Sequence, residues 1–289
     1  MSNALEVKAL TRIYGDFRLD SVSFALPAGG IMGFVGQNGA GKTTTIRLIL
    51  NMAPRQSGEI DVFGLDNIRD ELAIKQELGT VFDEIYFVDS WRIKNVEQAV
   101  RGFYAHWDAN LFSQFLTEFS LTPNQKVKEL SRGMKMKLML AVAMSHGAKL
   151  LILDEPTSGL DPVARDELLD ILRTYVADGE KSVFFSTHIT TDLERIAGYI
   201  TLIDRGRVFY TGAQEGLLDH FRIVKGTRDS LTDPLRRAII GLTSTADGFA
   251  GMIKVSDLTD LGAPSTWTTE APSIDEILIH ISKDGGQHD

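Results

Sequence analysis

The chain has 289 residues and a formal net charge of −9, with 43% hydrophobic and 24% charged residues. That length suits one large domain or two smaller ones, each able to bury a core. The acidic balance argues against a nucleic-acid partner, which needs a basic surface, and the lack of cysteine excludes disulfides and thiolate metal sites and fits a reducing compartment.

Leu5–Leu10, Arg18–Leu26 and Gly30–Val35 read as strands, the last a compact apolar run that ends at Gly36. The pattern turns helical from Lys42 to Asn51 and extended again at Glu59–Phe63 and Thr80–Phe82. From Lys94 to Phe119 a helical stretch rich in aromatics is expected, followed by a second helix, Arg132–Ser145, capped by Ser131. Leu150–Leu153, Ser182–Phe185 and Ile200–Ile203 read as strands; Val163–Val176 and Thr191–Ala197 read as helices. This alternation predicts an α/β fold with a mostly parallel sheet. Residues 84–147 read as a helical insertion, and residues 220–289 as a small accessory subdomain of loops closed by an amphipathic tail, Ile274–Ile281. The longest apolar stretch, Leu138–Leu153, is broken by His146 and Lys149, and Asn3, Glu6 and Lys8 interrupt the N-terminus. Neither a membrane span nor a signal-peptide core is therefore expected.

Gly36-Gln37-Asn38-Gly39-Ala40-Gly41-Lys42-Thr43 fits G-x-x-x-x-G-K-[ST] at every fixed position. Glycines let backbone N–H groups close around phosphate, and the following helix adds its positive N-terminal end. In this motif Lys42 reaches the β- and γ-phosphates and the Thr43 hydroxyl ligates Mg²⁺. Four apolar residues then lead into Asp154 and Glu155 at a strand end, where open α/β sheets bind ligands. Asp154 suits Mg²⁺ and Glu155 suits a general base that polarises the attacking water. His188 closes the strand Val183-Phe184-Phe185. By position it is equally a contact to the γ-phosphate or to Glu155, or a structural histidine.

Leu130-Ser131-Arg132-Gly133-Met134 resembles the LSGGQ signature of ATP-binding-cassette (ABC) ATPases, and Pro156-Thr157-Ser158-Gly159-Leu160-Asp161 resembles the loop that follows that family's two acids. The resemblance runs in order from about Leu5 to Gly212 and is nearest to single-cassette subunits of bacterial exporters of antibiotics, peptides or drugs. It implies a P-loop NTPase core over residues 1–219, with an N-terminal antiparallel β subdomain beside the parallel sheet. It also implies ATP and Mg²⁺ as ligands, with Lys42, Glu155 and His188 as catalytic residues. Nucleotide contacts would come from Tyr14, Gly36, Asn38, Gly39, Ala40, Gly41, Lys42, Thr43 and Thr44, and from Ser131, Gly133 and Asp161. Thr43, Asp154 and Asp83 would hold the metal. Two cassettes, alike or different, would sandwich two ATP molecules, each lying on one Lys42 loop and under the other subunit's Ser131–Gly133. A separate transmembrane permease would complete the transporter, placing this chain on the cytoplasmic face of the cell membrane.

Two departures stand out. Where the family carries Gln after the strand near Thr80, this chain has Asp83 followed by Glu84, and either acid can be the equivalent. Arg132 and Met134 replace a Gly and a Gln of the signature, while Ser131 and Gly133 remain. Taken alone, Ser131 is also a plain helix cap, Tyr14 a turn residue, and the aromatics of Ile85–Trp91 either a groove for a partner helix or internal packing. An ATPase acting on nucleic acid or the ribosome is the competing class. The stretch from Lys42 to Leu130 is too short for the coiled-coil arm of chromosome-type members, and only one phosphate loop is present. A regulatory ATP binder with weak turnover is the third reading, resting on Asp83 alone.

Overall fold

The computed structural model describes residues 2–84, 86–244, 247–261 and 267–284. It divides into two compact units, Met1–Phe209 and Tyr210–Asp289. The division falls ahead of the 219/220 boundary expected from composition, because the chain passes from one unit to the other inside a strand, Arg207–Ala213.

In the first unit, β1 (Asn3–Tyr14) and β2 (Phe17–Pro27) form an antiparallel hairpin. β3 (Ile31–Val35) is buried at every residue, as a strand covered on both faces must be. It leads through the glycine-rich loop into α1 (Lys42–Ile49). β4 (Ser57–Val62) and β5 (Leu65–Asp66) return to the hairpin, giving an antiparallel sheet of order β2-β1-β4-β5. α2 (Glu71–Glu77) and β6 (Leu78–Val81) follow, then the helical insertion with α3 (Ile93–Val100), α4 (Ala109–Glu118) and α5 (Arg132–Met144). β7 (Leu150–Asp154), α6 (Pro162–Tyr175), β8 (Ser182–Thr187), α7 (Thr190–Ile196), β9 (Tyr199–Asp204) and β10 (Arg207–Ala213) complete a six-stranded sheet of order β10-β9-β3-β8-β7-β6. Its neighbours β9/β3, β3/β8, β8/β7 and β7/β6 are all parallel, so their C-terminal ends share one edge.

The two sheets are joined by three phenylalanines. Phe24 of β2 packs against Phe34 of β3 and Phe184 of β8, with ring centroids 5.3 and 5.5 Å away, and Phe34 and Phe184 lie 5.4 Å apart. All three rings are buried, and such clusters add to the stabilisation given by burial itself.

The helix expected from Lys94 to Phe119 is two helices. Asp108 accepts hydrogen bonds from the N–H groups of Asn110 and Leu111, which starts α4 afresh. Tyr104, in the connection, stacks on buried His146 at 3.8 Å. The strand expected at Thr80–Phe82 begins earlier, at Leu78, through pairing with Leu150 of β7.

The second unit contains α8 (Gln214–His220), β11 (Phe221–Gly226), α9 (Asp233–Ala238), β12 (Ile240–Ser244), β13 (Phe249–Lys254), α10 (Val255–Leu261), β14 (Trp267–Glu270) and α11 (Ile274–Asp284). In place of the expected loops there is a four-stranded antiparallel sheet of order β12-β13-β11-β14. From β11 to β14 the elements run β-α-β-β-α-β with the first and third strands central, the split βαβ arrangement. Val224, Ile253, Phe249, Leu235 and Ile239 form its core. α11 runs against β12, where a Cβ on Gly241 would lie 2.2 Å from the His280 carbonyl oxygen, and the His280 Nδ1–H donates to the Gly241 carbonyl at 2.9 Å. The last expected residues, 285–289, lie outside the described residues.

Candidate functional site

The common edge of the parallel strands gathers the chemistry. β3 ends in the phosphate-loop sequence, β6 leads to Asp83, β7 ends at Asp154 and Glu155 follows, and β8 leads to His188. A cleft of about 670 Å³ opens there. Asn38, Gly39, Gly41, Lys42, Thr43 and Thr44 line one side, and Asp83, Glu155 and His188 the other. Phe17 and Ser158, which the sequence did not single out, also face it.

The loop's shape demands its glycines. A Cβ on Gly36 would sit 2.3 Å from the Ile203 carbonyl oxygen, and Gly41, the residue before α1, has φ +112°, a value L side chains rarely adopt. Ala40 is buried and stitches the loop: its N–H donates to Gln37 O at 3.1 Å and its carbonyl accepts from Gly206 N–H at 2.9 Å. These contacts pull the chain into a concave turn with α1 behind it.

Lys42 is 6% exposed. Its ammonium donates to the carbonyls of Gly36 at 2.7 Å and Gln37 at 3.2 Å and pairs with Glu155 Oε1 at 3.1 Å. The other Glu155 oxygen, Oε2, accepts from His188 Nδ1 at 2.8 Å. Glu155 has φ +51°, a left-handed conformation that costs a residue with a side chain about 1 kcal/mol or more and concentrates at functional sites. Its N–H donates to Ser186 Oγ at 2.9 Å, and that hydroxyl donates in turn to Asp154 Oδ1 at 2.6 Å. One buried serine thus orients both acids; it sits in the Ser186-Thr187-His188 run but carried no functional assignment from sequence.

A second clamp lies behind the first. Asp192 of α7 is fully buried, accepts from Thr157 Oγ1 at 2.6 Å and pairs with Arg165 Nε at 2.5 Å. It ties the loop after Glu155 to the helix after His188. Only the fold reveals it, since Thr157, Arg165 and Asp192 come from three separate segments.

The remaining expected residues lie apart from the cleft lining. Asp154 is buried beneath it. Ser131 caps α5, accepting from Met134 N–H at 3.2 Å, and Gly133 lies in that first turn. Asp161 caps α6 through the N–H groups of Val163 and Ala164. Tyr14 does not line the cleft. Residues 12 and 14 share a strand face, and the Arg12 guanidinium lies 4.6 Å from the Tyr14 ring centroid; the aromatic facing the cleft is Phe17. Of the two acids after β6, Asp83 faces the cleft.

Among the described residues no group of three or more His, Cys, Asp or Glu side chains forms a metal cage. Thr43 and Asp154 are hard oxygen donors, the set Mg²⁺ uses when the remaining ligands are water and phosphate oxygens.

Residues 19–158 match the family model described as ABC transporter. The chain is 30% identical over 228 residues to the bacitracin transport ATP-binding protein BcrA of Bacillus licheniformis, covering 77% of this chain and 72% of BcrA. The chain belongs to the ATP-binding proteins of ABC transporters. This ABC subunit is also 35% identical over 225 residues to the Nod factor export ATP-binding protein I of Rhizobium meliloti (strain 1021), covering 75% of the subunit and 66% of that protein. A solved ATP-binding subunit of an ABC transporter superposes with a TM-score of 0.67 at 26% identity, covering 74% of this chain and 91% of the other. An ABC cassette in its ADP conformation shares the fold with a TM-score of 0.65 at 18% identity, covering 75% and 93%. The ABC subunit is accordingly an ATP-binding and ATP-hydrolysing chain of the transporter class. Among its described residues no helix is long and apolar enough to cross a membrane.

Proposed function

We propose that this subunit powers an exporter, binding Mg-ATP in the cleft and hydrolysing it with Glu155 as general base. The observation that carries the reading is the convergence of Lys42, Glu155 and His188 on one cleft through contacts of 3.1 and 2.8 Å. With nucleotide bound, the Lys42 ammonium exchanges Glu155 for the β- and γ-phosphates, which frees the carboxylate to accept a proton from water. His188 holds that carboxylate in place, and the loop's amides with the end of α1 receive the phosphates. Thr43 and Asp154 would hold Mg²⁺, which would supply neutralisation of phosphate charge, and Asp83 stands at the same mouth. Phe17 offers the aromatic face for the base.

Ser131 and Gly133 point to a second cassette as the complement of this cleft, since a capped helix start is an anion site when a facing copy supplies the phosphate. An apolar groove of about 390 Å³ is lined by Leu50, Met52, Leu72, Phe82, Phe103 and Tyr104. Leu72 is 85% and Phe103 77% exposed. Large exposed apolar groups mark interaction sites, and this groove suits a helix of a separate permease at the inner face of the cell membrane. Of the aromatic segment after it, Tyr86 packs edge-on to Phe82 at 5.7 Å, while Ile85 lies outside the described residues. Export follows the names of the relatives. We assign nucleotide binding to residues 1–219 and an accessory role to the split βαβ unit.

The test is calorimetric titration with Mg-ATP. Wild type is expected to bind and Lys42→Ala to lose that affinity by tenfold or more, about 1.4 kcal/mol per decade. Undiminished binding by Lys42→Ala would refute the assignment.

A further inference from the structure

The two departures from the family pattern touch each other. Arg132, in the signature, and Asp83, in place of the usual Gln, are 49 positions apart, and the Arg132 guanidinium donates to Asp83 Oδ1. The same guanidinium lies flat against Gly159: a Cβ there would fall 3.0 Å from Arg132 Cζ. Arg132, at the start of α5, therefore contacts two other segments at once: the cleft-lining acid after β6, and the loop that carries Glu155 and Ser158.

The charges explain the pairing. The cleft already presents Glu155 where the proposed triphosphate sits, with Asp154 buried beneath it and Lys42 as the cation of the loop. A further carboxylate at the mouth, in place of a neutral amide, repels a polyanion at close range. Arg132 cancels that charge locally. A glycine at the same position, as the family pattern has it, could not.

We propose that Arg132 and Asp83 are a charge-compensating pair: Arg132 is a positioning residue that neutralises Asp83 for nucleotide entry and fixes the first turn of α5 to the cleft edge. The proposal rests on the reading that the cleft holds ATP. The guanidinium engages one Asp83 oxygen, Oδ1, and in this proposal the carboxylate's charge acts on the nucleotide through phosphate repulsion.

Both side chains are 47% exposed. At such exposure, coupling between paired charges amounts to at most about fivefold in an equilibrium constant. The experiment is a double-mutant cycle on ATP affinity, measured calorimetrically at low ionic strength, with Mg²⁺ and again in EDTA. Arg132→Gln is expected to weaken binding about fivefold, Asp83→Asn to bind at least as tightly as wild type, and the double variant to return to wild-type affinity. Arg132→Lys keeps most of the affinity. The Arg132→Gln defect shrinks as added salt shortens the Debye length, which loss of a purely structural contact would not show. Wild-type affinity in Arg132→Gln, or a defect that persists in the double variant, overturns the pair. If wild type itself lacks ATP affinity, the reading of the cleft fails and the pair's purpose falls with it; wild-type binding with an Arg132→Gln defect that Asp83→Asn does not relieve sinks the pair alone.

Discussion

Replacing Glu155 with Gln should separate the two jobs proposed for its carboxylate. In the cleft its Oε1 lies 3.1 Å from the Lys42 ammonium, with the side chains 15% and 6% exposed. At an effective dielectric of about 20 the gross attraction is about 5 kcal/mol. Net of desolvation, a charge-assisted hydrogen bond contributes about 1.5–3 kcal/mol. A phosphate entering the loop must compete with that bond. Glutamine keeps the shape and an acceptor oxygen but not the charge, so roughly half the competition disappears. Mg-ATP affinity should rise about tenfold, equivalent to about 1.4 kcal/mol. Turnover should fall by about 10²–10⁴, the share a general base contributes. Calorimetry gives the first quantity and steady-state phosphate release the second. A chromatographic shift to a dimer with ATP would accompany them if a second copy completes the pocket. Normal turnover would remove Glu155 from the role of base, and weaker binding would show that the Lys42 pair does not oppose the nucleotide.

Other expectations follow from the same geometry. Ser186→Ala leaves the buried Asp154 Oδ1 and the Glu155 N–H without their shared partner; urea unfolding should show a loss of about 1–3 kcal/mol, with turnover reduced more than binding. Asp192→Ala removes the buried partner of Arg165 and Thr157. Breaking a buried pair costs about 3–5 kcal/mol, and the partial exposure of Arg165 brings this to about 2–3 kcal/mol, readable as a shifted denaturation midpoint. Burial of His146, whose Nε2 lies 3.0 Å from the Leu78 carbonyl, pulls its pKa below the ordinary histidine value. Below about pH 6.5 the unfolded chain gains a proton that folded His146 refuses, so its contribution to stability is intact above that pH and is lost as pH falls toward the folded pKa. His146→Gln should therefore show less loss of stability than wild type between about pH 7.5 and 5.5.

Much of the site was legible because its parts are contiguous. The run Gly36–Thr43 carries its own geometry, as glycine is needed wherever a carbonyl such as that of Ile203 comes within reach of a Cβ. Asp154, Glu155 and His188 could be placed because each ends an apolar strand, and parallel strands deliver their ends to one edge. The single helix expected over Lys94–Phe119 failed for a local reason: apolar spacing continues through Trp107, and the cap at Asp108 outweighs it. The second unit was illegible for a different one. Its strands are four to six residues long, and β12 and β14 are rich in Gly, Ser or Thr, so alternation is too brief to stand out.

By itself, the order of residues determined the phosphate-loop sequence and placed two acids and a histidine at neighbouring strand ends, because those signals lie within short segments whose backbone chemistry is local. Only the tertiary structure decided what stands between them. Phe17 at the cleft, the hydroxyl of Ser186 between two acids, the buried Asp192 and the meeting of Arg132 with Asp83 all join residues distant in sequence. Partners of this kind are chosen by packing and by charge balance in a shared cavity, and neither quantity exists until the chain has folded.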